Sequence, residues 1–496
     1  MGAARPHEEL EESTIGGLAA RLRTGELAVA ELAGQFLARV EAIDGAGPGL
    51  HAVLQLAPDW EEQAAGLERA REHGLPPGPL YGVPILLKDN LDTRGPMATT
   101  AGSLALAGPP AAADAPAVGR LRAAGAVLLG KTNLSEFANW RSPFSVSGWS
   151  GVGGQTRNPH VLDRTPSGSS SGSGAAVAAA LAAAAIGTET DGSIVSPANA
   201  NGVCGLKPTV GLVPGTGIVP ISASQDSAGP LARCVADLAA VVAVLAGRPE
   251  LALAAGVEGA LRGARLGVLR DGISGRNQHS DRLFENALRA LRDAGAVLVD
   301  PVQLATRAEL FDLNPEPLVF AHEMRAGLAA YLARRPELGV RTVEDVIRFN
   351  EEHREQELRW FGQEHLEASA AAGPLDEPAY VETRDRGRRL AGPEGIDKAL
   401  GDFDLVALIA PTGTPAHVID PANSERGGLA TSTFPAIAGY PILSLPMGFA
   451  LDALPVGLSF IGAANSEARL LGLAAGYERE APHFRPPAYR KTLGLP

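Results

Sequence analysis

Short apolar runs alternate with helical repeats along most of the chain. Leu32, Phe36, Val40 and Ile43 recur at three- and four-residue spacing with Glu31, Gln35 and Arg39 between them, which predicts an amphipathic helix ended by the turn pair Asp44-Gly45. Gly82–Leu87 (GVPILL) is an apolar run bounded by turn residues and predicts a buried strand that delivers Lys88 at its end. Pro116–Ala124 suits a helix, and Gly125 then turns the chain into a strand at Ala126–Leu129.

The same rhythm returns further on. Arg265–Arg270 reads as a strand, Ser280–Ala294 as a helix with Leu283, Ala287, Leu288 and Leu291 on one face, and Ala296–Val299 as the next strand. Strand–helix–strand predicts parallel neighbours joined by a right-handed crossover. Residues 306–372 are charged and helical in pattern, with no strand signal. Asp404–Ala410, Ile442–Pro446 and Val456–Ile461 read as buried strands, and Ser466–Glu480 as a closing helix. No linker, charge block or repeat divides the chain. The expectation is one α/β domain over residues 1–496, with 306–372 as a helical elaboration near the substrate entrance.

Composition narrows the function. The 496 residues carry a net charge of −13, which argues against nucleic acid as a partner, because such binders need basic surface to displace counterions. Ten histidines are scattered singly, and Cys204 and Cys234 form no CxxC pair, so neither a metal nor a disulfide framework is expected. Both cysteines read as small buried hydrophobes. Met1–Glu12 is polar and acidic, without the basic and apolar regions of a signal peptide. The longest low-polarity run, Ala175–Ile186, is 12 residues, against about 20 for a membrane span. A cytoplasmic protein without a membrane partner is expected, and no heptad or visible patch indicates an oligomer.

The candidate chemistry lies in 165–197. Thr165-Pro-Ser-Gly-Ser-Ser-Ser-Gly-Ser-Gly174 reads as a loop opening a small-residue helix, and Gly187-Thr-Glu-Thr-Asp-Gly-Ser-Ile-Val-Ser-Pro197 as a turn presenting Ser193. An ordered helix and a second turn directly after the loop argue against a flexible linker. A phosphate loop would need a following Lys, and a Gly-x-Ser-x-Gly nucleophile elbow would need a preceding strand; neither is present.

These residues, together with Lys88-Asp89-Asn90, Lys131-Thr-Asn-Leu-Ser-Glu-Phe137, Thr156-Arg-Asn-Pro159, Gly202-Val-Cys-Gly-Leu-Lys-Pro208, Gly439-Tyr-Pro and Pro455-Val-Gly-Leu, resemble the amidase signature family over roughly 400 residues. Gly187–Ile194 and Met97-Ala-Thr-Thr-Ala-Gly-Ser103 are most similar to its bacterial peptide amidase branch, whose members hydrolyse the C-terminal carboxamide of peptides. The resemblance implies a large mixed sheet between helices, no cofactor, and a small-molecule or peptide amide as substrate. It implies a triad of Ser193 as nucleophile, Ser169, 24 positions earlier and after a cis peptide bond, as bridge, and Lys88 as base. It also implies an oxyanion hole from the backbone at Thr190, Asp191, Gly192 and Ser193.

Physical chemistry agrees with those roles. A serine hydroxyl needs a neighbouring base, no histidine lies in these segments, and a desolvated lysine loses its proton readily. Asp191 replaces the family's usual Gly, and its charge would oppose an oxyanion unless the side chain turns away; Val195 stands where many relatives carry Arg. Asn139 is a candidate substrate contact, with helix capping as the plain alternative. Asp89 and Asn90 are expected to fix the local turn, Asp226 to be structural and Arg157 to be an internal ion-pair partner. Three rival functions stay open: the A subunit of a tRNA-dependent amidotransferase, a general small-molecule amidase, and a binding protein without catalysis.

Overall fold

Eleven strands form one mixed sheet in the computed structural model, which describes residues 6–425, 429 and 431–494. The strands are β1 (Val53–Leu56), β2 (Pro84–Lys88), β3 (Val127–Thr132), β4 (Ala184–Glu189), β5 (Cys204–Lys207), β6 (Ser227–Ala232), β7 (Arg265–Leu269), β8 (Val297–Val302), β9 (Ala407–Pro411), β10 (Ile442–Ala450) and β11 (Leu454–Ile461). Their spatial order is β1-β3-β2-β4-β6-β5-β10-β11-β9-β7-β8. The chemistry-bearing strands β2 and β4 are adjacent and parallel, with Leu87 opposite Ile186. β4 then pairs antiparallel with β6, setting Glu189 opposite Ser227. The predicted strand–helix–strand unit is present, with β7 and β8 parallel on either side of the helix Gln278–Asp293.

β2 and β4 are buried along their whole length. Strands covered on both faces read as continuous apolar runs, which is why GVPILL was legible. The alanine run differs from expectation. Helix α1 spans only Ser171–Ala178, and Ala184 to Ile186 belong to the sheet. A run of Ala has no apolar–polar period to distinguish the two states. Its small side chains suit both, because α1 packs directly on β4.

The Gly/Ser loop needs its glycine at 172: a Cβ there would meet the Ala52 carbonyl oxygen and the Asn133 backbone N, the latter at 2.7 Å. The helical region begins at Arg307 and runs beyond 372, through Pro378–Ala391 and Lys398–Asp402. Its longest member, α3 (Glu316–Ala333), buries Val319, Phe320, Met324 and Leu328 in a cluster that also holds Phe137 and Trp140. This cluster joins the helical layer to the segment carrying Asn139. Arg141, buried, ties the same layer down: its guanidinium lies 3.1 Å from Glu136 and 3.4 Å from Glu357.

Cys204 is buried and Cys234 half-buried, and both are free thiols. Arg157 is exposed and forms no ion pair among the described residues, against expectation; its neighbour Asn158 turns inward instead, donating to the Thr165 and Ala200 carbonyls. No helix among the described residues is long and apolar enough to cross a membrane.

Candidate active site

β2 ends by carrying Lys88 into a fully buried position at the sheet's C-terminal edge. There its Nζ lies 2.7 Å from Ser169 Oγ and 3.2 Å from Ser170 Oγ. It donates to the Thr188 carbonyl at 3.2 Å and to Thr188 Oγ1 at 2.9 Å. No carboxylate among the described residues touches Nζ. Loss of solvent therefore dominates and lowers the Lys88 ammonium to about 7, while the charges of Asp226 and Glu189 act in the opposite direction.

Ser169 follows a cis peptide bond from Gly168. Its carbonyl accepts from the Ser135 backbone N–H at 3.1 Å, and the next residue, Ser170, donates its backbone N–H to the Ser193 carbonyl at 3.1 Å. The loop carrying Ser169 and the turn carrying Ser193 are thus joined by a backbone bond between Ser170 and Ser193 themselves. Ser193 is buried.

The turn after β4 is held from both sides. Glu189 Oε2 accepts from the backbone N–H groups of Ile194 at 2.7 Å and Val195 at 2.9 Å, capping helix α2 (Val195–Asn201). Gly192 takes φ +77°, a left-handed turn that glycine adopts at no cost. Thr190 Oγ1 donates to Asp226 at 2.6 Å, and Asp226 also accepts from the N–H groups of Ile221 and Ser222. Ahead of the capped pair, the N–H groups of Asp191, Gly192 and Ser193 have no acceptor among the described residues. Successive free N–H groups beside a serine make an anion-stabilising concavity.

The Asp191 carboxylate accepts from Thr433 Oγ1 at 2.9 Å and from Ser432, so it is held toward that helix start. Loss of solvent raises its pKa. Val195 is buried among Leu269, Leu408 and Ile437 and forms apolar wall.

Asn139 has φ +75° and follows Phe137 and Ala138 at +46° and +54°. Three successive non-glycine residues in the left-handed region store backbone strain, about 1–3 kcal/mol each. The Asn139 amide donates to Ser147 Oγ at 3.3 Å, and its Oδ1 is buried without a partner.

Asp89 fixes its neighbourhood as expected, accepting from the backbone and hydroxyl of Thr100. Asn90 does not: its amide crosses to Thr188 Oγ1 at 2.9 Å. Thr188, Ser170 and Glu189 were not singled out from the sequence, although Thr188 and Glu189 sit inside the Gly187–Ile194 motif. The signal available was position: two residues flanking a turn must supply the bonds that hold it. Among the described residues no three His, Cys, Asp or Glu side chains are grouped to hold a metal ion.

The family model described as Amidase matches residues 31–471. The protein belongs to the amidase family. The native peptide amidase of Stenotrophomonas maltophilia is 47% identical, with a TM-score of 0.90 over 96% of this chain and 99% of that one. Peptide amidase PAM, solved with the competitive inhibitor chymostatin, superposes with a TM-score of 0.91 at 47% identity over 96% of this chain and 99% of its own. A protein of Arabidopsis thaliana described as a probable amidase is 35% identical over 97% of this chain and 92% of its own length. The A subunit of the glutamyl-tRNA(Gln) amidotransferase from Symbiobacterium thermophilum is 35% identical over 92% of this chain and 95% of its own length. The fold is that of the amidase signature enzymes, and the chain is an amidase acting on amides.

Proposed function

We propose that the chain hydrolyses the C-terminal carboxamide of peptides to a carboxylate and ammonia, with Ser193 as nucleophile, Ser169 as bridge and Lys88 as base. The observation that carries the chemistry is the 2.7 Å contact between Lys88 Nζ and Ser169 Oγ in a site that lowers the lysine to about 7. A base with that value is largely neutral just above pH 7 and can accept a proton. The 47% identity to a peptide amidase supports the substrate class.

In this reading Ser193 Oγ forms a bond to the amide carbon. Its proton passes to Ser169 while the Ser169 proton passes to Lys88. The oxygen of the tetrahedral intermediate faces the N–H groups of Asp191, Gly192 and Ser193, with Thr190 fixing the turn. The intermediate collapses, the C–N bond breaks, and Lys88 returns its proton through Ser169 to the departing nitrogen. Water then attacks the acyl-enzyme by the same relay and frees the acid. Asn139 Oδ1 accepts from the substrate chain. The helices from residue 306 onward form one wall of the entrance: Glu316 on α3 accepts from Gln225 at 2.9 Å, and the same amide reaches the Thr190 carbonyl.

A panel of peptide amides, amino-acid amides, fatty amides and aryl amides tests this by mass spectrometry. A gain of one dalton confined to peptide amides, and lost in Ser193→Ala, is the expected result. The 35% identity to amidotransferase A subunits favours a second reading, release of ammonia to a partner protein. Turnover of peptide amides by the isolated chain overturns it.

A further inference from the structure

The Thr190 carbonyl and the Asp191 N–H belong to one peptide unit, so whatever holds the first aims the second. The unit is planar and trans, and its two polar atoms point in opposite directions. The Asp191 N–H is one of the free donors of the turn before Ser193. On the other side of the plane the Gln225 amide donates to the Thr190 carbonyl at 3.4 Å, and the same nitrogen donates to Glu316 at 2.9 Å. The segment carrying Gln225 is held on α3. Glu323 follows Glu316 by two helical turns on the same face. It accepts from Ser222 Oγ at 2.6 Å and from the Ser224 N–H at 2.9 Å. The N–H groups of Gln225 and Asp226 close the segment on the Ser222 carbonyl, at 3.1 Å and 2.7 Å. Thr190 is therefore held at two atoms, its hydroxyl by Asp226 and its carbonyl by Gln225.

Resting on the oxyanion role given to this turn above, we propose that Gln225 is a positioning residue for the reaction, holding the Thr190–Asp191 peptide so that its N–H meets the developing oxyanion, and that Glu316 acts from α3 through Gln225. The Asp226 bond fixes the Thr190 hydroxyl but leaves the following peptide free to rotate. The Gln225 bond removes that freedom. Without it the peptide can turn, carrying the N–H away and bringing the negative end of the carbonyl toward the oxyanion. One oxyanion donor is worth about 10²–10³ in rate, so aiming it is a large effect for a single amide. Gln225 is only 3% exposed and both its donated bonds are taken, so it acts on the turn and not on the substrate. The helix that walls the entrance thereby reaches the catalytic turn.

A blocked dipeptide aldehyde and the alcohol of the same sequence read the donor directly. Ser193 Oγ adds to the aldehyde carbon, the serine proton passes to the relay, and the aldehyde oxygen takes up the negative charge in the turn; the alcohol cannot be attacked. The ratio of the two dissociation constants is measured for wild type, Gln225→Leu, Glu316→Gln, Glu316→Leu and the double variant Gln225→Leu/Glu316→Leu. Wild type is expected to prefer the aldehyde. Gln225→Leu is expected to lose that preference by about tenfold or more, with alcohol binding and the KM of the dipeptide amide little changed and kcat reduced in parallel. Glu316→Gln keeps an acceptor oxygen and should hold the preference, while Glu316→Leu should lose part of it. That pair keeps the test open should Gln225→Leu disturb folding. The double variant should be no worse than Gln225→Leu alone, since residues on one path are not additive. Equal loss of aldehyde and alcohol binding in Gln225→Leu, or no loss of either, overturns the positioning role and leaves the oxyanion turn intact. Additive losses in the double variant also overturn it, because Glu316 would then act by another route. A wild type that binds the aldehyde no better than the alcohol overturns the oxyanion turn itself, and the role of Gln225 with it.

Discussion

Lys88 Nζ stands 2.7 Å from Ser169 Oγ at full burial, with no carboxylate among the described residues in contact. A surface lysine at the same distance would hold its proton to about pH 10.4 and could not act as a base. Burial makes the difference, bringing Lys88 to about 7. The neutral form is the active one, so kcat/KM for a peptide amide is expected to rise through a single limb near pH 7 and level off above it. The same shift acts on stability: between pH 7 and the unfolded lysine value the unfolded chain binds the extra proton, so this group's contribution to stability grows as pH rises. A rate profile flat from pH 5 to 9 (about two units either side of the limb) would exclude Lys88 as base.

Ser193→Ala and Ser169→Ala separate nucleophile from bridge. Each is expected to lower kcat by about a thousandfold or more, because members of a relay act as a unit. Only Ser169→Ala should retain labelling by a serine-directed fluorophosphonate, at a reduced rate, since Ser193 Oγ remains. Intact-mass measurement reads the adduct directly. Labelling of Ser193→Ala at the wild-type rate would move the nucleophile elsewhere.

The residues of the proposed relay sit in ordered motifs that resemble a known family, while much of the scaffold between them carries no such signal. β2 could be read because both its faces are covered and its sequence is continuously apolar. β5 (CGLK) and β6 (SAGPLA) lie equally deep, yet Gly, Ser and Pro show neither alternation nor β propensity. A proline is unusual in a central strand, yet Pro230 is accommodated opposite Ile186 inside the sheet. The alanine run is both helix and strand for the related reason that Ala fits either. At the site, the family resemblance pointed to Lys88, Ser169 and Ser193 but not to Thr188 or Ser170. Their role depends on β4 lying beside β2, and pairing between distant segments is not written in either segment alone.

Arg141 carries the attachment of the helical layer. It donates to the Glu357 and Phe361 carbonyls as well as pairing with Glu136 and Glu357, and its guanidinium lies over the Phe361 ring at 4.1 Å. Arg141→Met would leave two buried carboxylates facing each other. A loss of about 3–5 kcal/mol is expected, read as a lower urea midpoint. Burial already raises Glu136 well above its ordinary value, and proximity to Glu357 adds to that. The deficit should therefore shrink as pH falls and the carboxyls take up protons. A deficit that grows at low pH would contradict the assignment.

Glu189 is a positioning residue whose two effects can be measured apart. Its carboxylate accepts from Ile194 and Val195, which holds the Asp191–Ser193 turn, and its charge raises the proton affinity of Lys88. Glu189→Gln keeps an acceptor oxygen and removes the charge. The rate limb near pH 7 should move to lower pH, with kcat on the plateau reduced less than about tenfold. Glu189→Ala removes both. The limb should move in the same direction, but the plateau kcat should fall by about 10²–10³, the usual effect of losing one oxyanion donor, because the N–H groups no longer point where charge develops. KM should change little in either variant, since Glu189 reaches no substrate directly. Equal kcat losses in both variants would mean that charge, not the hydrogen bonds, sets the turn. An unmoved limb in both would mean that Glu189 and Lys88 are electrostatically independent.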